Sequence, residues 1–275
     1  MACSGVVVDR LSQRLVPDEL WELVAPLIPQ FQQRRQGGGT APADDRAVFT
    51  AIVYVLTSGC AWRDLPPSFG VTVPTAHRRF QQWTEAGLWR TLHQAVLDEL
   101  GAQGEIEWTR AVVDAATVRA KKGGHMTGPS PVDRGKAGSK IHLLADQAGL
   151  PLAVAISAAN THDSHGLKPL VKAIPKIRSR RGPRRGKPSK LHADKGYDYD
   201  QLRCWLRQQG ITPRIARKGI DSSERLGRYR WMVERSLAWL SGYRRLTTRY
   251  ERRADLFSAF LTLAAALTCY KKLAT

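Results

Sequence analysis

The chain has 275 residues, enough for one or two domains with a sizeable core, and its 43% apolar and 24% charged content is that of an ordinary soluble protein. Its formal charge of +19 is carried by the second part: residues 1–100 hold 9 Lys and Arg against 10 Asp and Glu, whereas residues 101–275 hold 34 against 14. Such an excess points to phosphate-bearing partners, DNA or RNA, and away from a membrane surface, because no amphipathic lysine-rich helix accompanies it. The four cysteines, Cys3, Cys60, Cys204 and Cys269, are scattered without a CxxC pair. That spacing excludes a zinc finger or a disulfide framework and fits reduced thiols in a cytoplasmic protein. The N-terminus lacks the basic, apolar, small-residue succession of an export signal.

In chain order, the first hundred residues read as helical. Trp21, Val24, Leu27 and Ile28 recur at helical spacing after Asp18 and Glu19, up to Pro29. The glycine-rich segment QQRRQGGGTAPADD, residues 32–45, reads as a loop, and Asp44 or Asp45 caps a helix through Leu56 that Gly59 closes. AWRDLPPSFG is a turn. A helix with Pro74 in its first turn follows, with Ala76, Phe80 and Trp83 on one face and His77, Arg78, Gln81 and Gln82 on the other. A polar-faced helix after a turn is what a helix-turn-helix presents to the major groove, with Arg78, Arg79 and Gln82 as candidate DNA contacts. A surface helix facing only water has the same pattern.

From residue 110 the pattern turns to strands. AVVDAATV, SKIHLLAD and LPLAVAISA are short β-branched or alternating runs, with DQAG as a hairpin turn between the last two. A helix over 164–173 follows, then a strand in KLHADKG, a helix ending at Gly210, a strand in ITPRIA and two long helices. The order βββαβαβα predicts a mixed sheet with helices on its faces. The last apolar stretch, Leu256 to Leu267, falls short of the ~20 residues a membrane span needs and reads as a buried core helix.

Three acids stand out in this frame. Asp114 follows Ala111, Val112 and Val113, at the expected exit of a buried strand, where an acid is costly unless it is paired or holds a metal. Asp194 stands in the same relation to its own strand, although a turn-forming Asp before Gly has the same local look. Glu234 lies in a helix beside Trp231, Val233 and Leu237. Carboxylates converging from two strands and a helix make an all-oxygen site suited to Mg²⁺ or Mn²⁺. Two such ions would serve phosphodiester cleavage on a polyanionic substrate.

These motifs carry a family resemblance over nearly the whole chain. GCAWRDLP, VVDAATVRA, DRGKAGSKIHLLAD with GLPL and ANTHDS, HADKGYD, and WMVERSLAWLSGYRRLTTRYER, in that order, resemble bacterial insertion-sequence transposases of the DDE type, the branch founded on insertion sequence five. The resemblance implies an RNase H-like catalytic domain over about 105–275, preceded by a small all-α, helix-turn-helix-like domain over about 1–100 that recognises terminal inverted repeats. It implies Asp114, Asp194 and Glu234 as catalytic metal ligands for two Mg²⁺ or Mn²⁺ ions, with double-stranded DNA as partner. A homodimer on DNA and a nucleoid-associated bacterial protein go with it. The third-acid region of the family carries a Tyr, an Arg, the Glu and a Lys at fixed spacing. Arg230 and Glu234 fit, whereas Gly227 and Ser241 stand at the Tyr and Lys positions, and Arg244 or Arg245 lies one turn beyond.

The segment from Gly166 to Lys190 has ten Lys or Arg and no acid, and its Gly- and Pro-rich part reads as a mobile basic loop. Arg180, Arg181, Arg184 and Arg185 there, with Arg134, Lys136 and Lys140 in a second loop and Arg230 near the third acid, are candidate DNA contacts. His162 and His165 read as capping and packing residues rather than a zinc pair, with Asp163 or Ser164 capping the helix that follows. His192 is near enough to Asp194 to tune it. A stand-alone metal-dependent nuclease and a DNA-binding regulator on an inactive fold are the alternative readings.

Overall fold

Asp44 begins the first long helix as its spacing predicts: its carboxylate accepts a hydrogen bond from the Ala47 amide, and Gly59 ends the helix at φ 71°. The computed structural model describes residues 10–30, 43–217, 219 and 223–274, the side chains of 223–230 excepted. The segment 31–42, and the side chains at Gly227, Tyr229 and Arg230, therefore lie outside the described residues.

Helices α1 (Arg10–Leu15), α2 (Asp18–Val24), α3 (Asp45–Ser58), α4 (Val73–Glu85) and α5 (Leu88–Gln103) form the N-terminal part. Within α4, Ala76, Phe80 and Trp83 are buried, as their spacing predicts. The predicted elements include no separate α5. Its signal is the four-residue recurrence of Leu88, Leu92, Val96 and Leu100 after Gly87, all buried.

Strands β1 (Ala111–Ala120), β2 (Gly128–Pro129), β3 (Ala137–Asp146), β4 (Pro151–Ala158), β5 (Lys190–Ala193), β6 (Thr212–Ile215) and β7 (Thr248–Arg249) make one sheet. Its main order is β4-β3-β1-β5-β6, with β4, β3 and β1 antiparallel and β1, β5 and β6 parallel. This is the RNase H-like arrangement, preceded by a helical segment. The two-residue strands β2 and β7 add to the predicted order. Helices α6 (Ser164–Ala173), α7 (Asp200–Gln208), α8 (Ser223–Ser241) and α9 (Ala254–Leu273) complete the fold.

Side-chain register assigns the two faces of the sheet. His142 sits against Gly166 of α6, where a Cβ would come within 2.5 Å of the imidazole Nδ1. On the opposite face of β3, the Ser139 hydroxyl accepts from Arg249 at 2.7 Å, and the Arg249 guanidinium lies 5.4 Å from the Phe257 ring of α9. So α6 covers one face, and α9, with α8 packed beside it, covers the other.

By length and composition α9 could cross a membrane, but 72% of that apolar window is buried, which is the predicted core helix. It packs along α5, and Phe260 stacks on Phe80 of α4 at 4.3 Å between centroids. One hydrophobic core therefore runs from the N-terminal helices through the sheet. Arg245 joins the same parts through polar bonds: buried, it donates to the Glu251 carboxylate at 2.6 and 2.8 Å and to the Cys60 carbonyl at 2.7 Å.

Buried histidines add an acid sensitivity. His93, between α5 and β4, sits 2.8 Å from the Pro151 carbonyl, and burial lowers its pKa to about 4. A base with a depressed folded pKa contributes stability that is present above its unfolded value, near 6.5, and lost as pH falls toward about 4. The denaturant midpoint is expected to fall across that window, and His93→Gln is expected to flatten the fall. An equal slope in both proteins would contradict it.

Candidate active site and DNA-facing surface

β1 is paired with β3 from Ala111 to Arg119, but its other edge is used only in part. β5 pairs there at Ala111 and Val112, and β7 pairs at Arg119 and Ala120. Between them the edge carries Asp114. The expectation that Asp114 ends its strand is therefore corrected: it is the fourth of ten residues, because pairing with β3 carries β1 on to Arg119 and pairing with β7 on to Ala120. It stands instead where β5 departs.

Val112, the last β1 residue paired with β5, stands opposite His192, so Asp114 and Asp194 each follow that pair by two residues, where the two strands part. Asp114 is opposite Leu143, on the face covered by α8 and α9. Its Oδ1 accepts from the Ala115 amide at 2.8 Å. Asp194 follows β5 and caps a single 3₁₀ turn, accepting from the Gly196 amide at 2.9 Å. The turn-forming role and the site position thus coincide in one residue. Two carboxylates that follow the last β1–β5 pair offer oxygen donors whose charge would suit a hard divalent cation.

Glu234 is exposed on α8, the helix packed against β1 and β3 on the Asp114 face. The three acids are not drawn into one ligand cluster: among the described residues, no group of three His, Cys, Asp or Glu side chains is placed to hold one ion.

The β3–β4 hairpin fixes α8. Asp146 to Gly149 forms the predicted turn, closed by the Gly149 amide on the Asp146 carbonyl at 3.1 Å. The Ser236 hydroxyl donates to the Gly149 carbonyl at 2.7 Å, and Arg235 Nη2 donates to the Ala148 carbonyl at 2.6 Å. Gly149 has φ 89°, and a Cβ there would come within 2.8 Å of Ser236 Oγ. Gly149→Ala is expected to cost about 1–3 kcal/mol through backbone strain and displacement of the Ser236 hydroxyl. Chemical denaturation checks it, and an unchanged midpoint would show that the turn relaxes freely.

Sequence reasoning passed over Tyr197. Its hydroxyl is buried with no hydrogen-bond partner among the described residues, and burial, then the charges of Asp163, Asp114 and Asp194, push its pKa far upward. The signal for it was present in HADKGYD, as a large aromatic three residues after an acid. His192, next to that turn, is held neutral by burial and by Arg110, Arg214 and Lys190, its pKa lowered to about 4. Asp163 takes the N-cap position of α6 but makes no capping bond; its carboxylate meets Lys140 at 2.7 Å, while Ser164 bonds His162 Nδ1 at 2.9 Å.

The predicted DNA contacts divide by exposure. Arg78 and Gln82 are exposed on α4. Arg79 differs: its side chain is 6% exposed and meets Asp45 at 3.0 Å, because it lies on the buried side beside Trp83. Lys140 also turns inward, donating to the Thr161 carbonyl as well as to Asp163. Arg134 and Lys136 are exposed, with Lys136 3.6 Å from Asp133.

The basic segment is not the free loop its composition predicts. Ile177 and Arg185 exchange both backbone hydrogen bonds, and Asp98 of α5 accepts from the Arg178 amide and from Arg184 Nη1 at 2.7–2.9 Å. Arg184 is thereby engaged with an acid. Arg180, Arg181 and Arg185 remain at the exposed surface of this tethered hairpin. Arg245 is buried on Glu251, so Arg244 is the exposed arginine beyond Ser241.

Comparison with known proteins divides the chain at a similar place. The pattern of the family described as "Putative transposase of IS4/5 family" matches residues 16–93, and that of "Transposase DDE domain" matches residues 109–269. The "Putative transposase for insertion sequence element IS402" of Burkholderia cepacia is 47% identical over 147 residues, covering 54% of this chain and 70% of that protein. A second protein of the same element, the "Insertion element IS402 uncharacterized 16.2 kDa protein", is 38% identical over 123 residues, covering 44% of this chain and 84% of its own length. Among solved structures, the piggyBac transposase synaptic complex with hairpin DNA aligns over 95% of this chain and 74% of its own, at 11% identity and a TM-score of 0.43.

Proposed function

The chain belongs to the transposase DDE family, and on that premise we propose that it binds the terminal inverted repeats of its own insertion sequence and cuts and joins DNA at the Asp114 edge of β1. The placement of Asp114 and Asp194, each two residues beyond the last β1–β5 pair, carries this reading. The family implies a divalent metal, and Asp114 and Asp194, with Glu234 from α8, are the residues that would hold it. Bound there, a pair of Mg²⁺ or Mn²⁺ ions would supply an activated oxygen nucleophile and charge stabilisation on the leaving oxygen. The protein's own residues bind and orient the strand. Asp114 and Asp194 stand at the sheet edge, α8 brings Glu234 over the same face, and exposed arginines hold the flanking phosphates. Joining two element ends in one complex calls for at least a dimer on DNA.

Within this reading, residues 1–100 recognise the ends and residues 105–275 do the chemistry, although the two parts share a core. Arg78→Ala or Gln82→Ala on α4 is expected to relax preference for the element's ends, since each base contact carries ~1–3 kcal/mol. Neutralising Arg180, Arg181 and Arg185 is expected to weaken binding to every sequence alike and to flatten the salt dependence by about 0.9 for each phosphate released. Titrations on specific and scrambled DNA across a salt series check both. Equal losses on both DNAs from the Arg78 change would leave α4 as a backbone-contacting or packing helix. Metal-dependent nicking of end-containing DNA would dismiss the inactive-regulator alternative.

A further inference from the structure

Along α8, Trp231, Arg235 and Trp239 recur every four residues and so form one stripe. Trp231 is 52% and Trp239 41% exposed, unusual for the largest apolar side chain. The Arg235 guanidinium lies between them, 4.8 Å from one ring and 4.7 Å from the other. Its bond to the Ala148 carbonyl and the fit of Trp239 against Gly149 hold the stack in place before any ligand arrives. Among the described residues no acid pairs with Arg235. Beside Trp239 opens a cavity of about 520 Å³, walled by Ala148, Leu150 and Ala238, with Lys271 and Lys272 in its lining. Lys271 Nζ lies 5.0 Å over the Tyr243 ring, and Lys272 meets Glu105 at 3.3 Å.

We propose that this face of α8, with the cavity beside Trp239, is a binding site for unpaired nucleotides of a DNA strand. Flat aromatic faces interleaved with a guanidinium take nucleobases of any sequence by stacking, and lysines at the rim meet the phosphates. The charge of residues 101–275, 34 basic against 14 acidic, matches a polyanion and disfavours a second copy of the same surface. The stripe also adjoins the catalytic helix face: Trp231 and Ala238 stand three residues before and four after Glu234, each about one turn away. A strand freed at the acids would be received next to where it is cut. This site rests on the DNA-cleaving reading above.

The test is fluorescence anisotropy with the full chain, comparing a blunt duplex with the same duplex bearing a short oligo-dT tail. Wild type is expected to bind the tailed DNA more tightly. Trp239→Ala and Trp231→Ala are each expected to reduce the tail's advantage roughly 5- to 150-fold for each base left unstacked, or to abolish it, while leaving blunt-duplex affinity unchanged. Trp239→Phe, which keeps a ring, should retain most of it. The more exposed Trp231 carries the comparison if the Trp239 change unfolds the protein. A tail advantage that survives both substitutions overturns the site, as does wild type binding both DNAs equally. So does a pair of substitutions that dissociates a dimer without touching the tail's effect. Wild type that binds neither DNA would instead overturn the DNA-acting reading itself.

Discussion

Asp114→Asn is expected to reduce cleavage of end-containing DNA by about 10³-fold or more while leaving DNA affinity within a few-fold of wild type. Asn keeps the shape and loses the charge that a hard cation requires. A metal contributes several kcal/mol to stabilising the charge that develops in phosphoryl chemistry, and each 1.36 kcal/mol is tenfold in rate. Asp194→Asn should behave alike, since Asp194, like Asp114, follows the last β1–β5 pair by two residues. It also loses part of the cap on the Gly196 amide, so a small stability loss should accompany it. Affinity should persist because the exposed arginines at 78, 180, 181 and 185 lie elsewhere. Single-turnover cleavage and binding titrations on the same DNA separate the two effects. Wild-type cleavage by either variant would show that the chemistry lies away from this edge.

Glu251→Ala is expected to destabilise the protein by about 3–5 kcal/mol, the usual cost of leaving a buried partner charge unpaired. Arg245 is 6% exposed at its side chain and, among the described residues, would keep the Cys60 carbonyl and its stacking on Tyr250 and Phe260. Replacing both partners with apolar residues, Arg245→Met with Glu251→Leu, should recover much of the loss, because no uncompensated charge then remains. Arg245 also ties the Cys60 turn to the segment just before α9, so the double replacement should loosen the N-terminal helices against α9 and increase their hydrogen exchange. Chemical denaturation of the three variants decides the matter. A single variant as stable as wild type would show that water reaches Arg245 readily.

The features legible in the sequence are those set by neighbours along the chain. The Asp44 cap, the Gly59 stop, the Asp146–Gly149 turn and the helix over 164–173 each depend on a few adjacent residues, and each has its expected bounds. What the sequence concealed depends on residues far away. Asp114 looked like a strand end because VVD is apolar up to the acid; pairing with β3 carries the strand five residues further and pairing with β7 one more. The arginines of 178–185 looked free because their segment has no acid, yet Asp98, some eighty residues earlier, holds two of them. Arg79 follows Arg78 and shares its chemistry, but one position on a helix turned it from solvent to Asp45. For Glu234 the local pattern gave a helix, and the side of the sheet that helix covers came from Ser139, Arg249 and Phe257.

The central claim is that this chain both cuts and joins DNA at its Asp114 edge. The most direct measurement is a strand-transfer assay with purified full-length protein, labelled DNA carrying the element's own ends, and an unlabelled target. With Mg²⁺ or Mn²⁺, the label is expected to appear covalently joined to target DNA, and chelator or Asp114→Asn should abolish both cutting and joining. Cleaved ends that never become joined would make the protein a nuclease, and intact ends under every condition would contradict the account outright.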